Sequence, residues 1–243
     1  MNRWLAQSGV CSRREAEALI ADGLVSIDGQ RVDDVGRKIA AGQTLTLADR
    51  AASALGAALT VVVNKPLGVV SAQPEAGQVP AARLLTEAAL WGGGKVAPPG
   101  RDARLAPLGR LDRDSHGLLL LSEDGVLAKA IIGPGSSLQK EYLVRVSGPV
   151  TEAKLARLRH GLSLDGRALK PAKVTPAGEQ RLRFVLTEGR NRQIRRMCEL
   201  VDLAVTDLLR LRIGPLKLGD LPEGRWRPLS PDERAALLRA AVS

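Results

Sequence analysis

The sequence predicts a mixed α/β (α+β) protein, in which a small N-terminal domain precedes a larger domain built on a largely antiparallel sheet. Residues 49–58, DRAASALGAA, are small and weakly patterned, and they predict a linker between a head of residues 1–48 and a body of residues 59–243. Strand and helix patterns follow one another irregularly in the body, which is typical neither of a regular βαβ alternation nor of an all-β chain. With 44% hydrophobic residues among 243, the chain can bury a sizeable core.

The head is predicted to contain one helix and a hairpin. Ser12 begins the capping-box pattern SRRE, and Gly23 is placed to end the helix. Its apolar face is formed by Ala16, Leu19 and Ile20. In VSIDGQRV the dipeptide Asp28-Gly29 favours a tight turn between two short strands, and residues 44–47 predict a closing strand.

The body is predicted to alternate short strands with a few helices. Residues 65–68 are expected to form a turn and residues 91–107, rich in Gly and Pro, a loop. Strands are predicted at Val61–Val63, from Val69-Val70, and at Leu118–Leu121, Tyr142–Val146, Leu182–Leu186 and Val205–Leu211. Helices are predicted at about Val126–Ile132, at Thr151–Arg159 with Ala153, Leu155 and Leu158 as apolar positions, and at Gln193–Leu200.

The charge balance suggests a polyanionic partner. The net charge is +10 and the pI about 10.3, which favours nucleic acid over the alternative of a basic surface kept only for solubility. Residues 1–48 contain six Lys/Arg and six Asp/Glu, so the head is neutral and the excess charge lies outside it.

The two cysteines, Cys11 and Cys198, are too far apart in sequence for a disulfide framework or a metal-binding spacing, and they suit a reducing cytosol. We therefore expect a cytoplasmic protein without a metal. The N-terminus lacks a signal-peptide pattern, and no apolar run approaches the roughly 20 residues of a membrane helix.

Three segments of the body carry polar residues that a plain core would not need. The loop GRLDRDSHG, residues 109–117, is dense in charge and leads directly into a buried strand, which can hold a carboxylate at the edge of a cleft. An ordinary surface loop explains the pattern slightly better. Tyr142, the only tyrosine, is equally compatible with core packing and with stacking on a base. Residues 188–196, EGRNRQIRR, contain four arginines. One of them could pair with a carboxylate while the others contact phosphates, or all four could form a basic patch without a catalytic part.

The head resembles an S4 RNA-binding domain over RWLAQSGVCSRREAEALIADGLVSIDGQRV and VGRKIAAGQTLTL. The resemblance implies that the helix carrying the Ser-Arg-Arg segment lies against RNA, with Arg3, Arg13 and Arg14 as the phosphate contacts. A solvated helix start is the alternative for Arg13 and Arg14.

The body, from about residue 60 to 235, resembles the RsuA family of ribosomal RNA pseudouridine synthases. The segments NKPLGVVS, GRLDRDSHGLLLLSEDG, KEYLV and EGRNRQIRRMCE occur in the family's order, and RNRQIRRMCE with GRWRPLSPDE is most similar to the RluF branch, which acts on 23S rRNA. Residues 91–107 are longer than is usual for the family, and the neutral head also departs from it.

The resemblance implies that the protein isomerises uridine to pseudouridine in RNA, without cofactor or metal. It implies that Asp112 is the catalytic aspartate, that Arg195 holds it ionised, that Tyr142 packs on the uracil and that Arg110 fills the space left by the flipped base. A covalent adduct of Asp112 and proton abstraction giving a glycal both stay open. Asp114 is expected to be structural, and further RNA contacts are expected from Arg190, Arg192, Arg196 and Lys65.

The implied partner is ribosomal RNA, first of all 23S rRNA, naked or in an assembling large subunit, bound by a monomeric enzyme that does not associate with membranes. A tRNA anticodon arm, 16S rRNA, or a non-catalytic role as an RNA-binding assembly factor are the alternatives.

Overall fold

The computed structural model describes residues 1–7, 10–11, 13–51, 58–93, 96–100 and 103–242. Ser12, most of the predicted linker, and part of the Gly/Pro-rich segment lie outside these residues. Within them, no helix is both long and apolar enough to cross a membrane.

The head consists of two short helices and a three-stranded antiparallel sheet. The helices are α1 (Asn2–Gln7) and α2 (Arg13–Ala21), and the sheet has the order β2-β1-β3, with β1 at Val25–Ile27, β2 at Gln30–Arg31 and β3 at Leu45–Leu47. Asp28 and Gly29 have φ angles of 49° and 78°, as a two-residue turn of the I′ type requires, so the predicted hairpin is confirmed. The predicted apolar face of α2 is also confirmed, because Ala16, Leu19 and Ile20 are buried with Leu5 and Val25.

The body is built on one mixed sheet of nine strands. Its main path has the order β10-β11-β7-β12-β6-β4-β14, with β5 and β13 pairing at its sides. Among the strand pairs of the described residues, β12–β6 is parallel and the others are antiparallel, so the predicted largely antiparallel sheet is confirmed. The strands are β4 (Thr60–Lys65), β5 (Ala106–Pro107), β6 (His116–Ser122), β7 (Lys140–Ser147), β10 (Lys173–Pro176), β11 (Arg181–Leu186), β12 (Ala204–Ile213), β13 (Leu216–Lys217) and β14 (Trp226–Pro228), and a separate hairpin pairs β8 (Ser163–Leu164) with β9 (Arg167–Ala168).

Four helices pack against this sheet, and three of them were predicted. They are α3 (Gly125–Ile132), α4 (Glu152–Arg159), α5 (Gln193–Glu199) and α6 (Pro231–Val242), with short 3₁₀ helices at Ala81–Leu84 and Glu87–Ala89. The carboxylate of Asp124 accepts hydrogen bonds from the first turn of α3, which fixes where that helix begins.

Three details of the sequence prediction are wrong. Val69-Val70 does not begin a strand, since Val70 forms only an isolated bridge with Pro80. Lys65 belongs to β4, and the turn starts after it. Ala153 is exposed, because α4 is short and only Leu155 and Leu158 of the predicted face reach the core.

The core divides where β12 meets β6. On one side α4 and α5 cover β10, β11 and β7 around Phe184, Leu182 and Val144. On the other side, the leucines of β6 alternate between two apolar clusters: Leu118 and Leu120 face α3 and α6, whereas Leu119 and Leu121 face Trp226 and the loops before β6. Because the two halves join through only a short parallel pairing, Leu209 with His116 and Arg210 with Gly117, a cleft opens at the joint.

Candidate active site

The loop before β6 holds Asp112 at the edge of the cleft by backbone contacts on both sides. The hydroxyl of Ser71 donates to the carbonyl of Leu111 at 2.6 Å and accepts from its N–H at 2.8 Å. Leu111 itself is buried, and the N–H of Ser115 donates to the carbonyl of Asp112. The side chain of Asp112 remains 35% exposed, so it can reach a bound substrate while its backbone is fixed.

The cleft has a volume of about 720 Å³ and contains the three residues expected to carry the chemistry. Asp112 and Tyr142 line it from the two halves of the sheet, and Arg195 lines it from α5. Other predicted residues at its wall are Arg110, Arg190 and Arg192. The structure therefore brings together segments that are up to about 80 residues apart in the sequence.

The sequence led us to expect that Arg195 contacts Asp112, but the structure shows that it does not. Its Nη2 donates to the carbonyl of Asp114 at 2.6 Å, and its Nε lies 3.3 Å from Asp114 Oδ2 without making a hydrogen bond. Arg195 lies on the buried side of α5, only 8% exposed, so its guanidinium passes beneath the loop instead of reaching its rim.

The arginine beside Asp112 is Arg192. Its Nη1 lies 3.7 Å from Asp112 Oδ2, and its two terminal nitrogens donate to both carboxylate oxygens of Asp114 at 3.2 and 3.0 Å. Arg192 precedes α5 with a left-handed φ of 47°, a conformation that non-glycine residues rarely adopt and that clusters at functional sites. The sequence analysis had assigned Arg192 only to RNA.

Asp114 links these two arginines to the loop. Burial opposes ionisation of its carboxyl, but the hydrogen bond from Arg192 and the charge of Arg195 outweigh burial, and the pKa of Asp114 is lowered. This arrangement agrees with the structural role expected for Asp114, and it connects α5 rigidly to the loop that carries Asp112.

Tyr142 lies in the middle of β7, opposite Phe184 of β11 and Arg210 of β12. It is half-buried and packs against the apolar clusters on both sides of the joint. One part of the residue thus contributes to the core while another lines the cleft, so the two interpretations of Tyr142 are compatible.

The remaining predicted RNA contacts have different surroundings. Arg110 is exposed at the cleft, and Arg3 and Arg13 are exposed on the head, whereas the side chain of Arg14 lies outside the described part of the structure. Arg190 donates to the carbonyls of Leu164, Arg167 and Ala168, and Arg196 pairs with Asp165 at 2.6 Å, so both support the β8–β9 hairpin. Their contact with RNA stays a prediction.

Lys65 is not a surface contact, and that expectation is wrong. It is fully buried, and its ammonium donates to the carbonyls of Pro66 and Val69 at 2.9 and 2.7 Å. Burial lowers the pKa of Lys65 to about 8, although the charges of Asp112 and Asp114 act in the opposite direction. Its contribution is to hold the turn after β4 in place.

Two buried cations at the cleft were missed by the sequence analysis. Arg210 donates to the carbonyls of Leu118 and Gly109 at 2.6 and 2.8 Å, across the joint of the sheet. Lys140 donates to the carbonyls of Ile131, in the last turn of α3, and of Leu138, before β7, and burial together with the charge of Arg210 lowers its pKa to about 8. The available signal was a basic residue among the apolar residues of a strand, in KEYLV and LLRLRI.

No group of three or more His, Cys, Asp or Glu side chains is placed to hold a metal ion within the described ranges. Both thiols are buried, and burial raises the pKa of Cys11 to about 11 and that of Cys198 to about 12.

Comparison with known proteins follows the division between head and body. Residues 2–45 match the family model of the S4 domain, and residues 59–200 match that of RNA pseudouridylate synthase. A dual-specificity RNA pseudouridine synthase, RluF, of Salmonella typhi is 34% identical over 98% of this chain and 78% of its own length. The ribosomal large subunit pseudouridine synthase B of Pseudomonas aeruginosa is 34% identical over 96% of this chain and 60% of its own. A crystal structure described as a pseudouridylate synthase superposes with a TM-score of 0.65 and 25% identity, over 97% of this chain and 98% of the other.

Proposed function

The chain belongs to the RNA pseudouridylate synthase family, and from this premise we propose that it converts uridine to pseudouridine in ribosomal RNA, with Asp112 acting at the ribose. The observation that carries the proposal is the position of Asp112, whose backbone is held by hydrogen bonds while its carboxylate is exposed at the cleft beside Arg192. We also propose the division into a head of 1–48, a linker of 49–58 and a body of 59–243, which the two family matches support.

The reaction rearranges one nucleotide without gain or loss of atoms. The bond between C1′ and N1 breaks, C5 bonds to C1′, N1 gains a proton and C5 loses one. The target uracil has to leave its stack before any side chain can reach C1′. A cleft with Asp112 on one wall and Tyr142 on the other offers space for such a flipped base.

Each proposed residue has a distinct part in this reaction. Asp112 acts as nucleophile or base at the ribose, and Tyr142 packs against the uracil ring. Arg110, exposed beside Asp112, occupies the space that the flipped base leaves in the RNA. Arg192 places a positive charge 3.7 Å from the Asp112 carboxylate, while Arg195 and Asp114 hold the loop.

We propose large-subunit rRNA as the substrate because a relative covering 96% of this chain is named for that subunit. A tRNA is the second candidate, since several other relatives are named dual-specificity enzymes. The buried, widely separated thiols fit a cytoplasmic enzyme that meets RNA as ribosomes assemble.

The decisive experiment maps pseudouridine in rRNA and tRNA from cells with and without the gene, and from cells that carry only Asp112→Asn. We expect one or a few sites to be lost in both altered strains, while purified Asp112→Asn still binds the RNA. An Asp112→Asn protein that restores every site would refute the role of Asp112. Unchanged sites in the deletion strain would refute the function and leave a non-catalytic RNA-binding role.

A further inference from the structure

The face of the sheet turned away from α4 and α5 is strongly basic. The strand register places three rows of side chains on it. The first row is Lys173, Val185, Glu141, Arg212 and Lys217; the second is Thr175, Arg183, Leu143 and Leu209; the third is Arg181, Arg145 and Asp207. Six cations thus share the face with two carboxylates. We call the surface formed by Lys173, Arg181, Arg183, Arg145, Arg212 and Lys217 the basic sheet face.

The two carboxylates on this face are already engaged. Glu141 pairs with both Arg183 and Arg212, and its pKa is lowered by the hydrogen bond from Arg212. Asp207 lies 2.9 Å from His116. Positive charge therefore remains in excess on the basic sheet face.

Arg145 and Arg181 are directly opposite one another on neighbouring antiparallel strands, and both are exposed. Like charges in such cross-strand pairs destabilise a sheet. Among the residues described by the structure, neither arginine has an ion-pair partner. This placement is unfavourable for the isolated protein and becomes favourable when a polyanion covers the face.

The basic sheet face is continuous with the active-site cleft. A second cavity of about 380 Å³ lies on the face between Lys173, Arg183 and Arg212. Thr187, which follows β11, lines both this cavity and the cleft, and Lys170, three residues before Lys173, lines the cleft. A strand leaving the cleft can therefore pass the end of β11 and reach the face.

We propose that the basic sheet face binds the phosphate backbone of the substrate RNA at nucleotides flanking the segment held in the cleft. The occupant is RNA because the face adjoins the cleft and carries excess positive charge, while its described rows contain no aromatic side chain and their two leucines, Leu143 and Leu209, are half-buried. The neutral head leaves the whole charge excess to the rest of the chain. This inference rests on the proposed function and extends it to the length of RNA that the enzyme recognises.

The test compares Arg145→Gln/Arg181→Gln with a control, Arg157→Gln/Arg83→Gln, which removes two exposed charges outside the head and outside the basic sheet face. Each protein is titrated with a stem-loop that just contains the mapped uridine and with a transcript several times longer. We expect the first variant to bind the long transcript roughly tenfold more weakly and to lower the slope of log K against log salt by about 1 to 2, since each lost phosphate contact removes close to one unit. Binding and turnover of the stem-loop stay unchanged.

Thermal unfolding separates this role from a structural one. Removing the opposed arginines relieves repulsion, so the Tm of Arg145→Gln/Arg181→Gln should equal or exceed that of the wild type. The proposal is overturned by a clear fall in Tm, by equal losses on both RNAs, or by long-transcript affinity equal to that of the control. It is also overturned if the variant loses binding to anionic phosphatidylglycerol vesicles but not to RNA. Failure of the wild type to form pseudouridine would instead refute the proposed function, whatever the binding data show.

Discussion

Arg195 pairs with Asp114, with Nε 3.3 Å from Oδ2 and Nη2 bound to the Asp114 carbonyl at 2.6 Å, and so acts on Asp112 only through the loop. Among the residues that the structure describes, the ion pair of the Asp112 carboxylate is with Arg192. Arg192 therefore supplies positive charge beside Asp112, while Arg195 and Asp114 fix the position of the Asp112 backbone.

Replacing Asp114 by Asn should slow the reaction without weakening RNA binding. The change removes the charge that holds Arg192 and leaves the buried Arg195 guanidinium without its ionic partner. We expect kcat to fall by about 10- to 100-fold with KM nearly constant, because a displaced catalytic group costs rate rather than affinity. Steady-state kinetics on the mapped RNA measures this split. A large increase in KM at constant kcat would contradict the positioning role.

Substitution of Tyr142 separates stacking from packing. Tyr142→Phe keeps the ring that packs on both cores and on the base, whereas Tyr142→Leu removes it. We expect Phe to retain RNA affinity, and Leu to bind about 5- to 50-fold more weakly, since stacking on a base contributes about 1–3 kcal/mol. If the hydroxyl transfers a proton, Phe will also lower kcat. Equal affinities for the Phe and Leu variants would exclude stacking.

The stability of the protein should depend on pH through Lys140 and Lys65. Both have a pKa of about 8 in the folded protein, below the ordinary 10.5, so above pH 8 the unfolded chain holds more protons than the folded one. The two buried charges therefore lower the free energy of unfolding below pH 8, and this free energy rises as the pH increases from 8 towards 10.5. Above about pH 9 the buried thiols oppose this trend, because their raised pKa values disfavour folding once unfolded thiols ionise.

Lys140→Met isolates one of these groups. In the variant the carbonyls of Ile131 and Leu138 lose their donor at every pH, so the informative quantity is how the difference in unfolding free energy between wild type and variant changes from pH 7 to 9. Chemical denaturation at several pH values should show that the free energy of unfolding of the wild type rises relative to that of Lys140→Met across this range. A constant difference would mean that Lys140 titrates normally.

Neutralising the head arginines should affect binding and spare catalysis. Arg3 and Arg13 are exposed in the S4-type head, which matches the S4 family model over residues 2–45. For Arg3→Gln/Arg13→Gln we expect an affinity loss of about 3- to 30-fold and a salt slope lower by about 1 to 2. The rate at saturating RNA should match the wild type. Unchanged affinity would mean that both arginines are merely solvated.

The sequence predicted most elements because their local patterns agree with the fold. The Asp28-Gly29 turn, the leucines of β6 and the polar cap before α3 each specify their own structure within a few residues. The prediction of a strand at Val69-Val70 was wrong because β-branched residues favour strands only where a neighbouring strand exists, and Val70 pairs with Pro80 in an isolated bridge.

The residues expected to carry the chemistry could be predicted from the sequence, but the contacts between them could not. Motif order identified Asp112, Tyr142 and the arginine segment, all of which reach one cleft. Which arginine faces Asp112 depends on the left-handed backbone at Arg192 and on the burial of Arg195, neither of which a helical spacing rule contains. Burial of Lys65 and Arg210 likewise follows from tertiary packing, since sequence statistics place Lys and Arg at surfaces.

The joint between β6 and β12 also determines when the enzyme becomes competent during its synthesis. Arg210 forms part of the cleft wall by donating hydrogen bonds to the carbonyls of Leu118 and Gly109, which precede it by 92 and 101 residues. Such distant pairings form late, because the intervening chain must lose its freedom first. A nascent chain that exposes Asp112 but still lacks β12 therefore lacks the Arg210 side of the cleft.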